Sequence, residues 1–305
     1  MPSIWDEADD EEPFALDDTL DPFAPPIPMA ERRPDWLDPR AWIAAEASSG
    51  RVLVDAAEAV GRVDERLRRA PEPTRQAWRE RLALEEISAL LWAEGIRLRP
   101  ETLALADADR LGRTGDADQV ITRGQWARRR LLGQGALTTT ADGMMTFLGR
   151  AALTDPAVQS SDPWTALPEP LVPTGPDPHG MGRWCAAMDT LQNTHPLTRA
   201  AAAFAMWRGM GLNDLDALLE PGVIAARVAA AGARGGLSSV PLSAGAPRLG
   251  QAGGHAPMRL ENWLLAVAET AAHAQMQLDR LEAWHARAID RAVEMKGKGA
   301  PALLA

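Results

Sequence analysis

The stretch MRLENWLLAVAETAAHAQMQLDRLEAWHARAIDRAVE, residues 258–294, decides the fold class. Leu260, Leu264, Val267, Ala271, Ala274, Leu278, Leu281, Ala288 and Ile289 recur at helical steps and draw one apolar stripe along it. At about 1.5 Å per residue such a helix spans roughly 50 Å, more than a compact domain needs. It therefore braces the rest of the chain or projects into a partner, and a homodimer through 258–294 is one form of the second option.

Upstream the text stays helical. In 51–69, Val52, Ala56, Ala59, Val60, Val63 and Leu67 fall three and four residues apart, with Asp55, Glu58, Arg62 and Glu65 between them. Pro71 and Pro73 stop that helix, and Thr74 is placed to cap the next, which carries Trp78, Leu82, Ile87, Leu90 and Leu91 and ends near Glu94-Gly95. A short helix follows Pro100. Gly112 and Gly115 break it, and Asp116 caps another through Val120, Ile121, Trp126 and Leu131, with a weaker helix at about 142–151. Further helices are expected at 182–193, 197–210 and about 213–231. No stretch alternates with period two over a useful length, so strands are not needed.

The resulting expectation is an all-α fold of two helical bundles, 38–151 and 179–295. A crossover at 152–178, holding prolines 156, 163, 168, 170, 173, 176 and 178, joins them. Glycines, serines and prolines mark 232–257 as a mobile loop, and 296–305 is a tail. Residues 1–37 form an arm. Its first 31 positions carry no lysine or arginine, while Asp6, Glu7, Asp9, Asp10, Glu11, Glu12, Asp17, Asp18 and Asp21 crowd together. Such a segment should be disordered when free. Trp5, Phe14 and Phe23, interleaved with those acids, suit a segment that orders on a protein partner; a plain solubilising tail is the alternative.

Composition narrows the function classes. The chain of 305 residues has a net charge of −10, which disfavours a broadly basic nucleic-acid surface. Its single cysteine, Cys185, cannot form an internal disulfide, and an intracellular, cytoplasmic home is the simplest reading. The sequence shows neither a signal peptide nor a membrane-length apolar run, so no membrane association is expected. Cys185 sits among small and apolar residues and reads as a buried structural thiol. The five histidines, at 179, 195, 255, 273 and 285, are scattered, and no metal or other cofactor is expected. Asp107, Asp109, Asp116 and Asp118 suggest a calcium loop, but Leu111 occupies a ligand position and Asp118 stands where a bidentate glutamate belongs. No nucleotide-binding glycine motif is present. The densest basic region comprises Arg123, Arg128, Arg129 and Arg130, preceded by Arg97, Arg99, Arg110 and Arg113. It could contact phosphates, form a solvated face or receive the acidic arm.

Leu91-Trp92-Ala93-Glu94-Gly95, Leu103 to Asp107-Ala108, and Arg123 to Arg128-Arg129-Arg130 resemble an uncharacterised family of bacterial proteins found on plasmids of rhizobia and related alphaproteobacteria. Leu197 to Trp207, Leu219-Glu220-Pro221-Gly222 to Val240-Pro241-Leu242, and Arg259 to Leu281 extend the likeness over roughly residues 50–290. Those proteins join a helical region similar to the N-terminal part of Fic proteins to a C-terminal helix-turn-helix. The resemblance implies adenylyl transfer or DNA reading, and the chain departs from both. A Fic motif reads H-P-F-x-[DE]-G-N-G-R, whereas here His195-Pro196-Leu197-Thr198-Arg199 lacks the anion-binding glycines. The helix-turn-helix is expected beyond the long helix, where the chain ends at Ala305. The favoured expectation is a non-enzymatic protein-interaction or regulatory module of a bacterial system. The alternatives are a degenerate nucleotidyltransferase with His195 as base and a nucleic-acid-binding regulator acting through Arg123–Arg130.

Overall fold

A computed structural model describes residues 34–106, 116–150, 178–214, 217–243 and 253–294. Among these the fold is all-α, with ten α-helices and no strand. The order is α1 (Pro39–Ser48), α2 (Gly50–Arg69), α3 (Glu72–Ala93), α4 (Pro100–Ala106), α5 (Asp116–Leu131), α6 (Ala141–Leu148), α7 (Pro178–Thr190), α8 (Pro196–Gly209), α9 (Leu219–Ala229) and α10 (Ala256–Glu294).

Helix starts follow local chemistry. Asp38 accepts from the Arg40 amide at 2.9 Å ahead of Pro39, and the Thr140 hydroxyl accepts from Gly143 at 3.2 Å. α3 begins two residues before the expected cap at Thr74. Pro73 occupies its first turn, where a missing N–H breaks no helical bond. At the other end, Gly95 takes φ 83° and the Ile96 amide returns to the Leu91 carbonyl at 2.8 Å, closing α3 where the glycine predicts.

α8 forms the centre. Leu197, Thr198 and every residue from Ala200 to Trp207 are buried, so the helix is covered on all sides, and its alanines let α9 approach closely. Trp184 of α7 meets Trp207 of α8 edge to face, 5.1 Å between centroids and 87° between planes. α10 runs along α2 and α1 and touches α8 and α3. The two helical runs expected as two bundles share one core, in which Trp42, Trp78 and Leu90 lie with Trp207, Val223 and Leu264. The described residues from Pro34 onward belong to one compact unit.

Two boundaries move. Residues 34–37, expected in the arm, belong to the body. Asp35–Leu37 form a 3-10 turn, Trp36 lies under the Arg259 guanidinium at 4.3 Å, and Asp35 accepts from the Ala256 amide. The glycine-rich segment expected to be mobile is also corrected over 233–243, where Leu237, Val240 and Leu242 are buried. Its apolar positions fill the space between the two helical runs. Residues 1–33, including Trp5, Phe14 and Phe23, lie outside the described residues, as do 107–115, most of the 152–178 crossover and the 296–305 tail.

Candidate functional site

α10 carries an apolar seam that the other described residues cover over only part of its length. Ala256, Leu260, Trp263, Val267, Thr270, Ala274 and Gln277 fall at alternating four- and three-residue steps, and all are buried. This 3.5-residue period keeps one face toward a neighbouring helix. The same spacing continues through Leu281, Trp284 and Ala288, but burial stops. Leu281 and Ala288 are half-buried, and Trp284 is 60% exposed. Arg66 of α2 pins the crossing point, bridging Asp279 and Glu282 at 2.6 Å each. From Glu282 to Arg291 every side chain except Ala288 is exposed, Ile289 among them at 39%.

His195 sits at the start of α8, where its Nδ1 accepts from the Leu197 amide at 3.2 Å and its own amide donates to Glu46 at 2.9 Å. Burial lowers its pKa, opposed by the Glu46 carboxylate, so the neutral ring is favoured. It lines a cleft of about 620 Å³ together with Arg68, Arg69 and Arg234. Arg68 and Arg69 both bind Glu65, and the Arg68 hydrogen bond leads in holding that carboxyl down at about 2.

The arginines singled out in the sequence do not form one open patch. Arg123 binds Glu94 at 2.9 Å and Arg128 binds Glu80 at 2.8 Å. Arg130 donates to the Phe147 carbonyl at 2.7 Å and lies over the Phe147 ring, 5.0 Å from its centroid. Arg129 alone of the four is fully on the surface. Burial pushes the Cys185 thiol up to about 11, as befits an inert packed group. Among the described residues no cluster of three or more histidine, cysteine or acidic side chains could hold a metal ion, and no helix is long and apolar enough to cross a membrane.

A set of buried carboxylates escaped the sequence reading. Asp64 of α2 accepts from the Arg234 and Leu237 amides at 2.7 Å. Glu86 of α3 accepts from Leu242 and Ser243, and Glu94 accepts from Leu218 and Leu219 at the start of α9. Each acid lies in the first helical run and each amide in the second. Trp284 was missed for a different reason: the stripe read along α10 runs through Leu278 and Leu281 toward His285, whereas Trp284 belongs to a neighbouring row that carries the polar Thr270 and Gln277.

Comparison with protein-family models, with curated proteins and with solved structures finds no match to this chain.

Proposed function

We propose that the chain is a non-enzymatic protein-interaction or regulatory module, and that its partner packs on the free end of α10. The observation that carries this reading is the seam that outruns its cover: Trp284 continues a buried row yet is 60% exposed. A partner helix laid along Leu281, Trp284 and Ala288 would extend the packing that α2 supplies further back. An exposed tryptophan at the middle of such a face is the kind of residue that dominates an interface.

Transfer chemistry through His195 has less support. Its Nδ1 is engaged by the helix amide, and the arginines beside it on α2 are paired with Glu65.

The test is affinity capture by the full chain from its host, beside Trp284→Ala, with nuclease treatment of both. The captured protein is then purified and titrated against each form. We expect nuclease-resistant capture and a fall in affinity of at least about tenfold in Trp284→Ala, with helical content unchanged. Equal affinity of the two forms, or capture of nucleic acid alone, would defeat the reading.

A further inference from the structure

A second cavity of about 620 Å³ opens where the residues leading into α6 meet α7, α8 and the end of α9. Its size lies within the ~300–1,000 Å³ span of pockets that take small organic ligands. Trp184, Met188 and Leu237 make its apolar wall, and all three are buried. The threonines at 138–140 and Ser238 supply hydroxyls.

Its cations are bound by carbonyls rather than carboxylates. Arg227 donates from Nη1 to the Arg130 carbonyl at 2.5 Å and from Nη2 to the Gly135 carbonyl at 3.1 Å. Arg199 donates to the Gln192 carbonyl at 3.1 Å. Arg130, adjoining Arg227, holds the Phe147 and Gln134 carbonyls. These partners are all neutral. Elsewhere on the described surface Arg62, Arg66, Arg68, Arg81, Arg123 and Arg150 each meet a carboxylate. One acid, Asp189, lines the cavity, and it accepts from the Thr139 hydroxyl at 2.8 Å. Two lining guanidiniums against one carboxylate leave positive charge in a chain whose net charge is −10. Burial and the neighbouring Arg130 both work against the charge on Arg227, which an incoming anion would relieve. In the His195 cleft, by contrast, two of the three lining arginines, Arg68 and Arg69, are already held by Glu65.

We propose that this cavity binds a small organic anion, a carboxylate or phosphate monoester carrying an apolar body. Arg227 and Arg199 meet the anionic end, the hydroxyls of Thr138 and Thr140 lie in reach of a ligand's polar atoms, and Trp184 and Met188 receive the apolar body. Such a site gives the protein a small-molecule input remote in sequence from the free end of α10.

The test is calorimetric titration of the full chain with phenyl phosphate, phenylacetate and the neutral isostere phenylacetamide. Both anions should bind at least about tenfold more tightly than the amide, and only their binding should weaken as salt is raised. The tighter of the two identifies the headgroup. Arg227→Gln removes anchors of the loop at 130–135 and could unfold it, so Arg199→Gln and the cavity-filling Ala231→Trp carry the test. With circular dichroism unchanged, Arg199→Gln should weaken both anions about tenfold and Ala231→Trp should abolish all binding. Equal binding of anions and amide, anion binding untouched by both variants, or no saturable binding at millimolar concentration would each overturn the proposal.

Discussion

Glu86 is 2% exposed, and its carboxylate accepts from the Leu242 and Ser243 amides at 3.0–3.1 Å. A carboxylate so far from water is tolerated because charge-assisted bonds from fixed backbone donors replace its hydration. Glu86→Ala would leave those donors with nothing to bind. We expect a loss of about 3 kcal/mol, read by urea denaturation, from two unsatisfied amides, one buried and one half-buried. His195 offers a pH test. Its folded pKa lies below the ordinary 6.5, so below 6.5 the unfolded chain takes up a proton that the folded ring refuses. Stability from this group is therefore complete above 6.5 and drains away as the pH falls toward the folded value. His195→Ala should cost about 1 kcal/mol at neutral pH through the lost helix cap, and its stability curve should converge on the wild type below 6.5. Neither role was legible beforehand. Histidine is not among the residues that signal a cap, and Glu86 and Ser243 are joined only by folding.

At the scale of elements, the helices were legible and the buried loop was not. α2 and α3 announce themselves by apolar steps and by proline or glycine at their ends, which are local signals. The segment 233–243 carries the composition of a solvent-exposed loop, yet Leu237, Val240 and Leu242 anchor it in the core. Gly236 is there for clearance rather than mobility. A Cβ on Gly236 would overlap the Asp64 carbonyl and carboxylate, while Arg79 clasps the Gly236 carbonyl from the other side. Gly236→Ala must therefore push the strand of chain off α2 and strain the Asp64 bonds. We expect a destabilisation of about 2 kcal/mol by the overpacking route, with fluorescence-monitored melting as the check. Gly235→Ala, whose Cβ meets nothing within 4 Å, separates the two effects: it suffers only from its φ of 104°. A loss larger at 235 than at 236 would show that backbone strain, not contact with Asp64, governs this loop.

For the whole molecule, the question is whether the proline-rich crossover separates two independent folding units. The chain's composition suggests that it does, because prolines crowd 156–178 between helical runs. The packing argues otherwise. Asp64, Glu86 and Glu94 in the first run are satisfied by amides of the second, and Glu46 binds the His195 amide. The apolar faces are divided in the same way, with α10 lying on α1 and α2 and α9 on α3 and α5. Cutting the chain between 150 and 178 would strand acids on one fragment, amides on the other, and expose facing apolar surface on both. Each fragment would also lose core partners it cannot replace, since Gly222 of α9 is fitted against Leu90 of α3. The full chain should therefore show one cooperative calorimetric transition, with matching calorimetric and van't Hoff enthalpies. Fragments 34–150 and 178–294, expressed separately, should lack cooperative melting, and mixing them should restore it. Two resolved transitions in the intact chain, or a native-like melt in either fragment alone, would mean that the shared core is an interface between domains and that the crossover marks a true boundary.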